Sequence, residues 1–133
     1  MTEPSNRVYH VAADALTGAT AQTFGMRRLA AISGSSVGAQ ALWMGRSHVS
    51  PGTNSEAHHH GHSETGIFVV SGHPVFIYLE DGREVRIETA PGDFVYVPPF
   101  VHHMESNPSP DEEAVVVIAR TTQEAIVENL GSL

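Results

Sequence analysis

Neither cysteine nor lysine occurs anywhere in this chain of 133 residues. Without cysteine there is no thiolate nucleophile, no disulfide and no thiolate-bound zinc. Without lysine no Schiff base can form, and all seven cationic side chains are arginines. Acidic residues number fifteen, giving a formal net charge of -8 with histidine neutral. No basic cluster interrupts that acidity, so neither nucleic acid nor an anionic membrane is an expected partner. Long apolar runs are also missing, since none approaches the ~18 residues of a membrane span. The start, Met1 to Asn6, is polar and lacks the basic end and apolar core of a signal peptide, which leads to the expectation of a cytoplasmic protein. What the chain has in quantity is histidine, with nine copies. Its chemistry is expected to run through imidazole, carboxylate, or a metal that they hold.

A chain this short builds one core, so residues 1–133 read as a single domain with a polar N-terminal arm over about 1–25. Twelve glycines and eight prolines fall at short intervals, which favours many short strands over long helices. One short helix is expected from Val8 to Leu16, where Ala12, Ala13 and Ala15 are good helix formers. Met26–Ile32, Gln40–His48, Thr65–Ser71, Pro74–Leu79, Glu84–Thr89, Phe94–Val97, Val101–Ser106 and Ala114–Thr121 read as strands. Asp81-Gly82 between two of them is the clearest hairpin signal, because both turn positions tolerate positive φ. The fold class expected from this spacing is all-β, a sandwich or barrel.

Six of the nine histidines fall in two clusters, His58-His59-His60-Gly61-His62 and His102-His103. Alternate residues of a strand share a face, so His58 and His60 converge while His59 points away. Two imidazoles on one face, met by a third from elsewhere, make a divalent metal site that needs no cysteine. The same tract also reads as a surface segment that binds metal adventitiously.

Gly52, His58, His60, Glu64 and Gly72 resemble the first motif of the cupin superfamily. Gly92, Pro98, His103 and Asn107 resemble the second, with Phe100 standing where the family carries glycine. The resemblance implies a double-stranded β-helix, or jelly-roll barrel, with a metal in its mouth held by His58, His60 and His103. In most members the glutamate ligand falls at the place held here by Thr65. Glu64 lies one residue early, and one step along a strand turns a side chain to the opposite face. Either a bulge near Gly66 brings Glu64 back to the metal, or His62 replaces it, Gly61 allowing the bend. His62 is the favoured fourth ligand, which makes a four-histidine site suited to Lewis-acid work.

His102 is expected to face away from its neighbour, and His10, His48 and His73 stand alone. Glu105 is two residues beyond His103 and should share its inward face. It reads as a candidate general base, with a hydrogen-bonded structural carboxylate as the alternative. Small, histidine-rich, cysteine-free cupins resemble the cyclases that close aromatic polyketides, as in the resistomycin and tetracenomycin pathways. That resemblance implies a metal-dependent aldol-type ring closure on a small polyketide or aromatic substrate. Zinc is the favoured ion, with iron, manganese or nickel as alternatives. A non-haem iron dioxygenase and a non-enzymatic ligand-binding cupin are the competing expectations. A homodimer is expected too, since outward Phe94 and Tyr96 are more than a small monomer readily covers.

Overall fold

The computed structural model describes residues 7–20 and 22–133; the start of the expected N-terminal arm, residues 1–6, and residue 21 lie outside the described residues. Among the described residues ten strands form two five-stranded antiparallel sheets. The first sheet has the order β1 (Met26–Ile32), β2 (Trp43–Val49), β9 (Ala114–Arg120), β4 (Thr65–Ser71), β7 (Phe94–Val97). The second has the order β10 (Glu128–Asn129), β3 (His58–His59), β8 (His103–Ser106), β5 (Val75–Glu80), β6 (Arg83–Glu88). Strands consecutive in sequence often lie in opposite sheets, as in a jelly roll.

Alternation explains which face each strand buries. In β2 the odd positions Trp43, Gly45, Ser47 and Val49 are buried and the even ones half-exposed. Ile67, Val69, Val97 and Val116 of the first sheet meet Phe76 of the second, so the core lies between the sheets. Asn107, 1% exposed, ties the loop after β8 to the rest by donating to the Val49 and Glu112 carbonyls at 3.0 and 2.8 Å. Burying that amide without partners would be costly, and these bonds remove the cost.

The expected hairpin is present: β5 and β6 pair from Val75↔Glu88 to Glu80↔Arg83, with φ of 52° at Asp81 and 75° at Gly82. The expected helix over residues 8–16 is not. Only a single 3-10 turn forms at Ala13–Ala15, with no side-chain cap at Ala12. So short an alanine segment, without a cap or a buried face, does not overcome the cost of helix nucleation. A short helix forms instead at Gly34–Val37, where Ser33 and Ser36 close a reciprocal cap. It displaces the start of β2 from Gln40 to Trp43.

Candidate metal centre

Three segments distant in sequence carry the centre. β3 and β8 are antiparallel neighbours, and His58 is the direct partner of His103. Directly paired residues project to the same face, so these two rings meet inside the barrel with centroids 4.3 Å apart. β3 ends at His59, yet His60 turns its ring inward to 4.8 Å from His58 and 4.9 Å from His103. Glu105 follows His103 by two residues and shares its face. Its backbone is clasped on both sides by Ser55, whose hydroxyl accepts from the Glu105 N–H and whose N–H donates to the Glu105 carbonyl, both at 2.8 Å. One ligand atom from each of His58, His60, His103 and Glu105 lies within 4.8 Å of the others.

The hydrogen bonds decide what each imidazole offers. Nδ1 of His58 donates to the Glu56 carbonyl at 2.7 Å, that of His60 to Ile126 at 2.8 Å, and that of His103 to Val101 at 3.0 Å. A proton held on Nδ1 leaves the lone pair on Nε2, so all three rings present an acceptor to the centre. His103 Nε2 is fully buried and has no hydrogen-bond partner among the described residues. An orphaned buried nitrogen is expensive unless something occupies its lone pair. Three such lone pairs and a carboxylate are a donor set that fits a divalent metal ion.

Charge within the centre follows the same layout. Burial is the largest influence on His58 and His60 and holds both below their ordinary value, His60 at about 4. Burial lowers His103 as well, but the Glu105 carboxylate, 3.6 Å away, more than offsets it and leaves His103 raised. For Glu105, burial acts upward, and the His103 imidazolium outweighs it, aided by His58 and His60, bringing the carboxyl to about 2. Glu105 is therefore ionised, and its side chain is 23% exposed.

His62 and Glu64 do not join this cluster. Gly61 (φ 57°) begins a turn closed by the Ser63 N–H donating to the His60 carbonyl, and the turn leaves His62 exposed. Glu64 is exposed as well and accepts the Tyr96 hydroxyl at 2.6 Å. No bulge forms at Gly66; the register shift in β4 falls between Val69 and Ser71. Thr65 then takes the inward position, and the carboxylate beside the three histidines comes from β8. Glu105 accordingly stands among the three histidines, its ligand atom within 4.8 Å of theirs. His102 is exposed and stacks on the outer face against His59, 5.5 Å between centroids.

Other contributors carried little sequence signal. The C-terminal strand β10 pairs with β3 through Glu128↔His59 and Asn129↔His58, and the preceding Ile126 carbonyl orients His60. Two half-buried arginines also face inward, Arg28 as the partner of Ser47 and Arg120 as the partner of Trp43 and Thr65. The Arg27-Arg28 pair held a clue: a strand that alternates faces must turn one of two adjacent arginines inward.

A jelly roll with three histidines and a glutamate converging inside it defines a class of β-barrel with a candidate metal centre. The chain belongs to the cupin family: the family profile described as Cupin domain matches residues 45–119. No curated protein matches the chain in sequence. Among solved structures it is similar to peruvianin-I, a cysteine peptidase from Thevetia peruviana latex, with 15% identity, a TM-score of 0.71, and coverage of 95% of this chain and 78% of that one. A mutant of Bacillus subtilis oxalate decarboxylase is 19% identical with a TM-score of 0.69, over 84% of this chain and 29% of the decarboxylase. An oxalate oxidase in complex with glycolate is 17% identical with a TM-score of 0.67, over 84% of this chain and 58% of the oxidase. The chain thus spans less than two thirds of either oxalate enzyme. Likeness at this level concerns the fold, and the first relative makes the point, because a chain without cysteine cannot share a cysteine peptidase's nucleophile. Among the described residues no helix is long and apolar enough to cross a membrane.

Proposed function

We propose that this chain is a metal-dependent cupin enzyme acting on a small oxygen-bearing substrate, with His58, His60, His103 and Glu105 as the metal ligands. The observation that carries the reading is the shared tautomer: three imidazoles commit Nδ1 to backbone carbonyls and turn Nε2 toward one ionised carboxylate. A divalent ion there would supply Lewis-acid polarisation of a substrate carbonyl. The chain's own part is to turn three Nε2 atoms toward the centre through carbonyl hydrogen bonds, to keep His58 and His60 neutral by burial, to hold Glu105 ionised beside His103, and to exclude bulk water with the apolar residues between the sheets.

Ring closure of an aromatic polyketide is the particular reaction proposed. It is supported by what the chain lacks: with no lysine an enamine route is closed, so an aldol-type step depends on polarisation of a carbonyl. Glu105 serves this reading as a ligand, and the substrate's own acidic oxygens or water take the place of a side-chain base. The same carboxylate favours a second reading, an iron or manganese enzyme that uses oxygen, because an anionic ligand stabilises a higher oxidation state. It also weakens the preference for zinc that an all-histidine site would give; one of the similar decarboxylase structures is described as having Mn(II) centres. A homodimer is proposed on Phe94 and Tyr96, which are 79% and 59% exposed on the edge strand β7.

Metal analysis of untagged protein, followed by turnover of poly-β-keto substrates with and without oxygen, tests these readings. Product under both atmospheres supports the cyclase. Product formed only in air supports the oxygen-using enzyme. A chain that binds no divalent metal sinks both.

A further inference from the structure

The interior of this acidic protein is cationic. Among the described residues every aspartate and glutamate other than Glu105 is exposed. Facing the histidine-bearing sheet, the inner wall of the first sheet carries two guanidinium groups. Arg28 pairs with Ser47, Ser47 with Val116 and Val116 with Val69, and these last three are 2%, 5% and 0% exposed. Direct partners share a face, so Arg28 belongs to the inward row, yet it stays half-buried and accessible. Its Nη1 donates to the Thr23 hydroxyl at 2.8 Å.

Arg120 lies on the same inner wall. It lies 4.0 Å over the Trp43 ring and donates to the Thr122 and Gln123 carbonyls at 3.0 and 2.9 Å. The Trp43 ring itself lies across Gly45, where any side chain would stand 2.5 Å from it. Burial, and then the charge of Arg28, lowers the Arg120 guanidinium to about 10, which leaves it charged at neutral pH. The charge of Arg28 also reaches across to His58, where it is a minor influence beside burial.

Resting on the metal-enzyme reading, we infer that Arg28 is a substrate-anchoring residue and that the barrel takes a small organic anion, one oxygen facing the histidine–glutamate centre and a carboxylate on the Arg28 guanidinium. Two guanidinium groups on one inner wall, with a single carboxylate in the interior, are costly to desolvate together, and an anionic ligand relieves that cost on binding. A guanidinium is suited to the task because its planar fork takes a carboxylate through two parallel hydrogen bonds. Arg120, held by Trp43 and two carbonyls, keeps the wall positive without needing to touch the ligand.

The test uses the cobalt(II)-loaded full chain and follows its visible absorption during titration with acetoacetate or with its neutral methyl ester. The wild type should bind the acid more tightly than the ester. Arg28→Gln should weaken acetoacetate by about tenfold to a hundredfold, the scale of a lost charge-assisted hydrogen bond, and leave the ester unchanged. Arg28→Lys should restore part of the loss, and exposed Arg27→Gln should have no effect. Equal binding of acid and ester by the wild type, no binding of acetoacetate, or undiminished acetoacetate affinity in Arg28→Gln overturns the inference alone. If Arg28→Gln does not fold, the acid–ester contrast on the wild type decides. Failure of cobalt to bind stoichiometrically, or cobalt retained at full affinity by His103→Ala, overturns the metal reading and this inference with it.

Discussion

On the inner face of the β3–β8 pair, His58 and His103 are 6% and 3% exposed and give their Nδ1 protons to backbone carbonyls. On the outer face of the same segments, His59 and His102 stack in contact with solvent. There the hydrogen bond runs the other way, His59 Nδ1 accepting from the Gly61 N–H at 3.0 Å. Its proton must then sit on Nε2, pointing out, so the ring presents a donor where the inner rings present a lone pair. His59 thus holds the opposite tautomer to that of the inner rings on either side of it in sequence, His58 and His60. Burial and the direction of one hydrogen bond, rather than residue type, decide which of them can ligate a metal.

The largest expected effect comes from breaking the inner set. His103→Ala should reduce divalent metal affinity by more than about a hundredfold, whereas His102→Ala should leave it within twofold, as competition with a chromogenic chelator would measure. Equal losses would remove the distinction between the faces. The carboxylates give the next contrast. Glu105→Gln should weaken metal binding by about tenfold to a hundredfold, and Glu64→Gln should have no effect because its partner is Tyr96. A strong loss in the Glu64 variant would return that residue to the site.

A smaller effect is expected from pH in the metal-free protein. His60 is buried as the neutral ring and held at about 4, whereas the unfolded chain takes up that proton near 6.5. At this residue the folded state therefore binds fewer protons between these values, so the His60 contribution to stability is full above about pH 6.5 and declines as pH falls toward 4. His103, raised rather than lowered, contributes stability that is fully present and constant below 6.5 and is lost as pH rises above that value, so it does not alter the slope in that window. The Glu105 contribution is lost only below about 4.5, as pH falls toward 2. Thermal denaturation of the apoprotein should show a decline from pH 6.5 to 4 that His60→Gln reduces and His59→Gln does not.

The smallest effect concerns the outer side. Phe100 holds φ of 62°, a left-handed conformation that suits glycine, and its exposed ring lies 5.8 Å from that of His59. Phe100→Gly should raise stability by up to about 1 kcal/mol in chemical denaturation while leaving metal affinity unchanged. A stability loss would mean that the His59–Phe100 contact outweighs the backbone strain.

Local rules were enough for much of this molecule. Strand alternation and turn chemistry act within a few residues, so β1, β4 and β7, the Asp81-Gly82 hairpin and the inward side of His58, His103 and Glu105 can be read from the residues themselves. Phe100 shows the same thing in the negative: it occupies the glycine position of the motif and keeps the glycine's backbone. Tertiary structure decided what depends on where separate segments meet. The turn at Gly61 sends His62 outward, and no local pattern could rank it below Glu105, a residue that arrives from another strand through its pairing with β5 and its clasp by Ser55. The Ile126 carbonyl that sets the tautomer of His60 comes from 66 residues along the chain. Arg28 acquires its meaning only when the first sheet closes over the second. Periodicity states which face a side chain takes, but the partner across that face, and with it the charge and tautomer, exists only once the two sheets have packed.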